Sequence, residues 1–471
     1  LRAPQEKVPS ATYIMFLDAL LTLAHATAAT TNLLGGKMQF KLRALLAVAL
    51  VSAFVFTPPA VPVQAKPPVS LGDGRAEEVG MSTQRLDKIT SAFTKEINDK
   101  KLPGAVVIVA RKGLVVYQNA FGLRDPKKSD PMGVDTIFRI YSMTKPLMSV
   151  GLMTLVEDGV VQLTDPVSKY LPPFKDVKVS TPTGDVAPDR PMTVQDLLRH
   201  TSGLAYGEIT KNEKVKDALT KAGIVTTGIE YDSRNMTGPE EVERLARVPL
   251  VNQPGTLWEY SLAVDVQGRI IEAVTGKRAG DFLAERVFKP LGMKDTGFFV
   301  PQAEQARLAE AFDTDPVSGN KYPLIDVSKQ PGNDSGGAGG VSTAIDYLRF
   351  IQMLLNGGTL DGVRVLSPTT VRLMTSDHLA GVVSNPQMPG ELLLGSKGYT
   401  FGLGFAVRIT DGIAAFPGTA GDYNWAGYAG TYFWVDPAQD LVAVLMTQAP
   451  SPARAGYRRL LRQLVYQAIV D

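Results

Sequence analysis

Ser142-Met143-Thr144-Lys145 sets a hydroxyl nucleophile and a candidate base three residues apart. On a helix, positions i and i+3 share a face, so the Ser142 hydroxyl and the Lys145 amine can converge. Leu147, Met148, Val150, Leu152, Met153 and Leu155 follow with an apolar helical pattern. Pro146 has no N–H to give and is tolerated within the first turn of a helix, which puts Ser142 near an N-terminus. There the helix dipole favours developing negative charge, and a backbone N–H can face an oxyanion. A serine attacks a carbonyl only after losing its proton, so a base must stand beside it. Lys145 can serve if its pKa falls from ~10.4 towards ~7, a bias of roughly 4–5 kcal/mol against the charged form. A helix terminus contributes at most ~2 kcal/mol, so desolvation or a second cation must supply the rest.

Other hydrolytic designs are missing. No serine has glycines two residues to either side, so the nucleophile elbow of α/β-hydrolases is absent. Of the three histidines, His25 lies in the leader, His200 beside Thr201-Ser202-Gly203 reads as structural, and His378 reads as exposed. No H-E-x-x-H or clustered ligand set points to a metal, and no cofactor is expected. Gly336-Gly337-Ala338-Gly339-Gly340 lacks both the P-loop lysine and the dinucleotide spacing, so it reads as a tight turn near the site. Cysteine is absent, which removes disulfides, thiol catalysis and lipoprotein anchoring. Net charge is +2 with no dense basic run, so neither nucleic acid nor an anionic membrane surface is implied as a partner.

Two further motifs follow the tetrad in order. Tyr260-Ser261 comes after Pro254-Gly255-Thr256-Leu257-Trp258-Glu259, and Trp425-Ala426-Gly427 precedes Tyr428-Ala429-Gly430-Thr431-Tyr432-Phe433-Trp434. The trio resembles the serine β-lactamase and penicillin-binding-protein superfamily, whose Ser-x-x-Lys is followed by a Tyr (or Ser) motif and by Lys-Thr-Gly on a strand beside the nucleophile. These variants look like the family VIII carboxylesterases, ester-hydrolysing relatives of class C β-lactamases. The resemblance runs from about Leu86 to about Ile469, with supporting phrases at His200-Thr201-Ser202-Gly203-Leu204 and Gly339-Gly340-Val341-Ser342-Thr343.

The resemblance implies a serine carboxylesterase that hydrolyses short-chain esters through an acyl-enzyme on Ser142, with no obligate protein partner. Lys145 and Tyr260 would manage protons in one of two ways. Either Lys145 is the base, or a charged Lys145 lowers the pKa of Tyr260 and its phenolate is the base. Aligning Trp425-Ala426-Gly427 on Lys-Thr-Gly makes the Tyr428 N–H the second oxyanion donor beside that of Ser142. Tyr141, Leu262, Trp425, Ala426 and Gly427 become the substrate-binding positions. β-Lactamases carry Lys where this chain has Trp425 and Asn where it has Leu262. A β-lactam would thereby lose charge-assisted hydrogen bonds worth roughly 1.5–3 kcal/mol each. Ester hydrolysis is therefore the first reading and β-lactam hydrolysis at most a side activity. A class C-type β-lactamase, a D,D-peptidase and a non-catalytic sensor domain are the rivals.

The elements that must position these residues are legible in outline. Ser82 can cap a helix carrying Leu86, Ile89, Phe93 and Ile97. Two apolar runs, 105–110 and 114–117, flank Arg111-Lys112-Gly113 as a hairpin. Thr193-x-x-Asp196 opens a short helix, 211–250 looks helical but weakly patterned, and 264–274 and 345–355 are amphipathic helices. Strands return at 401–407, 429–435 and 441–446, and a basic helix spans 453–469; 384–397 reads as a long loop. The pattern predicts an α+β fold: an antiparallel sheet built from both chain ends with flanking helices, plus an inserted, mainly helical region. The sheet part covers about 66–140 and 330–471, and the helical part about 141–330. Upstream, Met38 to Arg43 forms a basic stretch, 44–56 an apolar one, and Val63-Gln64-Ala65 a small-residue cleavage pattern. Residues 38–65 thus read as a cleavable export signal after an upstream leader, 1–37. The mature enzyme would be periplasmic or secreted, with no stable membrane anchor once the signal is removed.

Overall fold

Val106, Val107, Ile108 and Val109 leave both faces of a strand apolar, and such a run must be covered on both sides. In the computed structural model, which describes residues 70–224, 233–380 and 388–471, strand β2 (Gly104–Arg111) is buried along its whole length. Residues 1–37 and 38–65, read from the sequence as an upstream leader and an export signal, lie outside the described residues. β2 pairs antiparallel with β3 (Leu114–Asp125) on one side and with β9 (Leu441–Thr447) on the other. Among the described residues the main sheet has nine strands. Its order is β1 (Gly72–Asp73), β3, β2, β9, β8 (Tyr432–Asp436), β7 (Tyr423–Ala426), β6 (Ala406–Arg408) and β5 (Tyr399–Phe401), with β4 (Asp130–Pro131) paired to β3. The fold is α+β, with a sheet assembled from both chain ends. It is mixed rather than purely antiparallel, because the two residues of β1 run parallel to β3.

Helix α1 (Thr83–Asn98) begins as the sequence predicts, with Ser82 Oγ accepting from the Arg85 N–H at 3.3 Å. It packs against β3 and against the C-terminal helix α7 (Arg454–Tyr466). Helix α2 (Thr144–Glu157) packs on α4 (Ala263–Thr275), while α3 (Val194–Leu198) opens with the Thr193–Asp196 capping box. Helix α5 (Ala344–Leu355) lies on β2, β8 and β9. Among the described residues, 211–250 resolves into two separate helices, Glu213–Lys221 and Gly238–Leu245.

Two readings of the sequence are corrected. The strand expected over 401–407 is a hairpin, β5 and β6, with Phe401 opposite Ala406. Gly404 at φ 97° turns the chain, and a Cβ on Gly402 would stand 2.1 Å from the Met374 carbonyl. The expected loop at 384–397 contains helix α6 (Pro389–Leu394), which starts on a proline and stops on Gly395 at φ 63°; 381–387 lie outside the described residues.

Candidate active site

Ser142 sits one step ahead of helix α2. Tyr141–Met143 form a 3-10 turn and the α-helix starts at Thr144, so Pro146 is its third residue, where a missing N–H costs nothing. As the second residue of that turn, Ser142 has no acceptor for its own N–H within it. The turn is braced from several sides. The Thr144 hydroxyl donates to the Tyr141 carbonyl at 2.6 Å and accepts from the Gly340 N–H at 2.9 Å. The Tyr347 hydroxyl donates to the Met143 carbonyl at 2.8 Å. Tyr141 itself adopts φ 44°, a conformation that costs a bulky residue about 1–3 kcal/mol and needs such bracing. Expected to meet substrate, Tyr141 is instead buried, with its hydroxyl accepting from the Ile325 N–H at 3.0 Å.

Lys145 is 1% exposed and its amine meets three acceptors: Ser142 Oγ at 3.2 Å, Tyr206 Oη at 2.9 Å and the Gly337 carbonyl at 2.7 Å. Burial pushes its pKa down to about 7, against the opposing pull of the Asp265 carboxylate. Desolvation, left open by the sequence as one of two sources of bias, is the one found. The Tyr260 hydroxyl donates to Ser142 Oγ at 2.7 Å. Burial raises the Tyr260 pKa far above that of an ordinary phenol, more than the Ser142 hydrogen bond lowers it. Its ring is held by His200 (5.2 Å between centroids), Tyr206 (5.2 Å) and Trp425 (5.5 Å).

Trp425 and Ala426 lie on β7, and the following Gly427 starts a turn closed by the Gly430 N–H donating to the Gly427 carbonyl at 3.1 Å. Gly427 presses on the segment before the nucleophile: a Cβ there would stand 2.4 Å from the Ile140 carbonyl. Only glycine fits. Tyr428 follows in the same turn, its ring 5.5 Å from that of Tyr141. Leu262 and Trp425, expected as an apolar wall facing the substrate, are 1% and 0% exposed. Trp425 backs Tyr260 and Phe401 from inside the core, and its indole N–H lies near the Tyr260 hydroxyl, short of hydrogen-bond geometry. The open space is a groove of about 800 Å³ bounded by Tyr260, Leu257, Val251 and Leu392, with Lys211 and Glu259 among its polar residues.

Two participants, Tyr206 and Asp265, escaped the sequence reading, and a third, Gly337, was placed near the site without a role. Tyr206 supplies an acceptor to Lys145; it stands two residues after the His200–Leu204 phrase, and that proximity was its only signal. Gly337 supplies its carbonyl from the glycine-rich turn. Asp265, buried on α4, fixes that turn by accepting from Ser335 Oγ at 2.6 Å and the Gly337 N–H at 3.0 Å. His200 is buried, its Nδ1 3.0 Å from Ser261 Oγ, and burial holds it neutral, which fits a structural role. His378 is half-buried rather than exposed: Nε2 lies 2.8 Å from the Leu373 carbonyl.

A serine flanked by a buried lysine and a tyrosine, in a turn that leads into helix α2 and packs on β7, defines a serine hydrolase of the β-lactamase fold. The chain belongs to the Beta-lactamase family, whose model matches residues 86–467. Esterase EstB of Burkholderia gladioli is 32% identical over 81% of this chain and 94% of its own length. A protein of Mycobacterium tuberculosis is 35% identical over 76% of this chain and 88% of its own. Among solved structures, EstCE1, described as a hydrolase with promiscuous acyltransferase activity, superposes with a TM-score of 0.68 at 29% identity, covering 81% of this chain and 99% of that one. These relatives tie the chain to the serine β-lactamase and penicillin-binding-protein superfamily and to the family VIII esterases.

Proposed function

We propose that this hydrolase is a serine carboxylesterase acting on short-chain carboxylic esters through an acyl-enzyme on Ser142. The observation that carries the reading is Ser142 Oγ lying between the Lys145 amine and the Tyr260 hydroxyl, at 3.2 and 2.7 Å, with the lysine held near neutrality. A half-neutral lysine can take the serine proton at neutral pH, whereas a phenol with a raised pKa cannot. This favours Lys145 as base and Tyr260 as the relay. As Oγ bonds to the ester carbonyl carbon, its proton passes to Lys145, and the N–H groups of Ser142 and Tyr428 receive the oxyanion. The intermediate collapses, the alkoxide leaves with a proton relayed through Tyr260, and water reverses the sequence to free the acid. A fluorophosphonate probe should label Ser142 and no other residue; an unlabelled chain would point to the non-catalytic alternative.

Tyr260→Phe should lower kcat by ~10²–10⁴ with little change in KM, the usual range for losing a positioned acid or base. The phenyl ring keeps its packing partners. A variant with parent-like kcat and a slightly shifted melting temperature would reduce Tyr260 to a packing residue.

Selectivity tests the ester assignment against the β-lactamase and D,D-peptidase rivals. A β-lactam carboxylate entering the groove beside Tyr260 would lose water without gaining the cation that β-lactamases provide, since that motif position is the buried Trp425. We expect kcat/KM for p-nitrophenyl butyrate to exceed that for any penicillin or cephalosporin by at least ~100-fold, about 2.7 kcal/mol. Comparable efficiency on both classes would overturn the assignment and make Lys211 the cation to examine.

A further inference from the structure

Helix α7 carries two buried arginines one turn apart, and they are treated differently. Arg462 pairs with the Asp422 carboxylate at 2.5 Å. Arg458, 3% exposed, is held by carbonyl oxygens instead, donating through Nη1 to Leu393 at 2.9 Å and through Nη2 to Gly427 at 2.6 Å. Its Nε is buried with no hydrogen-bond partner among the described residues. Burial, with Arg454 nearby, lowers its pKa to about 9, so it stays charged at neutral pH. A buried cation without a carboxylate is costly. A strut between two carbonyls would not need the charge.

The Gly427 carbonyl and the Tyr428 N–H are opposite ends of one peptide plane, and in a trans peptide they point in opposite directions. A charged donor on the oxygen therefore fixes the plane and draws electron density towards itself, making the N–H at the far end a stronger donor. We propose that Arg458 is a positioning residue that orients and polarises the Gly427–Tyr428 peptide so that its N–H can receive the oxyanion of the ester reaction. The proposal rests on the esterase reading and on Tyr428 as an oxyanion donor. Arg458 touches no reacting atom; it acts from behind the turn.

The test compares the parent, Arg458→Gln and Arg458→Lys. Active sites are titrated with a fluorophosphonate, so that turnover of p-nitrophenyl butyrate is expressed per competent site. In parallel, the carbonyl stretch of the butyryl-enzyme, trapped at acid pH with ¹³C-labelled substrate, is read by difference infrared spectroscopy. Arg458→Gln should lower kcat per site by about 10–50-fold, less than the loss of a whole oxyanion donor, with KM within about threefold. Its acyl carbonyl stretch should rise above that of the parent. Arg458→Lys keeps the charge but lacks the fork that spans two carbonyls, so it should move both readouts in the same direction by less, about 3-fold in kcat. A structural role alone predicts fewer titratable sites with unchanged turnover per site and unchanged stretch, and that result overturns the proposal. If Arg458→Gln does not fold, parent-like turnover and stretch in Arg458→Lys overturn it equally. A parent that forms no adduct on Ser142 removes the esterase reading, and the proposal with it. A parent adduct whose stretch matches a free ester removes the oxyanion assignment alone.

Discussion

Ser142→Ala should lower ester turnover by about 10⁵–10⁶-fold while the protein stays folded, the scale seen when the nucleophile of a serine hydrolase is deleted. The change removes one oxygen that accepts from Tyr260 and Lys145 and nothing that packs. Ser142 is only partly buried, so water can reach the vacated position. The cost should be about 1–2 kcal/mol, a few degrees at most in melting temperature. Intact-mass analysis after p-nitrophenyl butyrate at acid pH should show a butyryl adduct in the parent and none in the variant. Turnover above a tenth of the parent in a folded Ser142→Ala would move the chemistry elsewhere, with His200 the next residue to test.

Lys145→Met should be nearly as damaging to activity, about 10⁴–10⁶-fold, and should make the protein more stable at neutral pH. Both effects have one origin. A lysine whose pKa falls from its usual value to about 7 in the folded state binds fewer protons there than in the unfolded chain between pH ~7 and ~10.5. Stability therefore rises with pH across that window, and the penalty for burying the amine is at its full size below about pH 7. That penalty is roughly 4–5 kcal/mol on the shift alone. Methionine escapes it but forfeits the hydrogen bonds to Ser142, Tyr206 and Gly337, about 1 kcal/mol each, so a net gain of about 1–2 kcal/mol is expected at pH 6. The advantage over the parent should shrink towards pH 10. In the parent, kcat/KM should climb with pH and level off above about 7 as the amine becomes neutral. Equal destabilisation of Lys145→Met at every pH, or a parent profile flat from pH 5 to 9, would mean that the lysine does not deliver the base.

What could be read from the sequence was local. The spacing of Ser142 and Lys145, the proline that marks the helix start, and the caps at Ser82 and Thr193 all depend on neighbours within one turn. The surroundings of the Lys145 amine do not: Tyr206, Asp265 and Gly337, which close around it, come from three separate stretches of chain. Burial misled the reading at Leu262 and Trp425: alignment gives a position on a motif, whereas packing determines which atoms face the groove. The basic helix at the C-terminus raised the same difficulty, since nothing local distinguishes a solvated arginine from Arg458 or Arg462. The misread strand at 401–407 is different, because Gly402 and Gly404 were visible as breakers in an otherwise apolar run.

The pairing of β2 with β9 also governs how the chain must be assembled. Ala105 lies opposite Thr447, and these partners leave the ribosome more than three hundred residues apart. Until β9 arrives, β2 has its hairpin with β3 on one side and an open edge on the other, apolar from Ala105 to Ala110. The nascent chain thus carries a long-lived sticky edge until the residues between β2 and β9 have been made, and closure of the sheet is a non-local and intrinsically slow event. Ser142, Lys145 and Tyr260 are all made well before that closure, yet the Gly427 turn beside them is made only shortly before β9. Completion of the site's surroundings and the shielding of β2 therefore arrive together, as residues 427–447 are added.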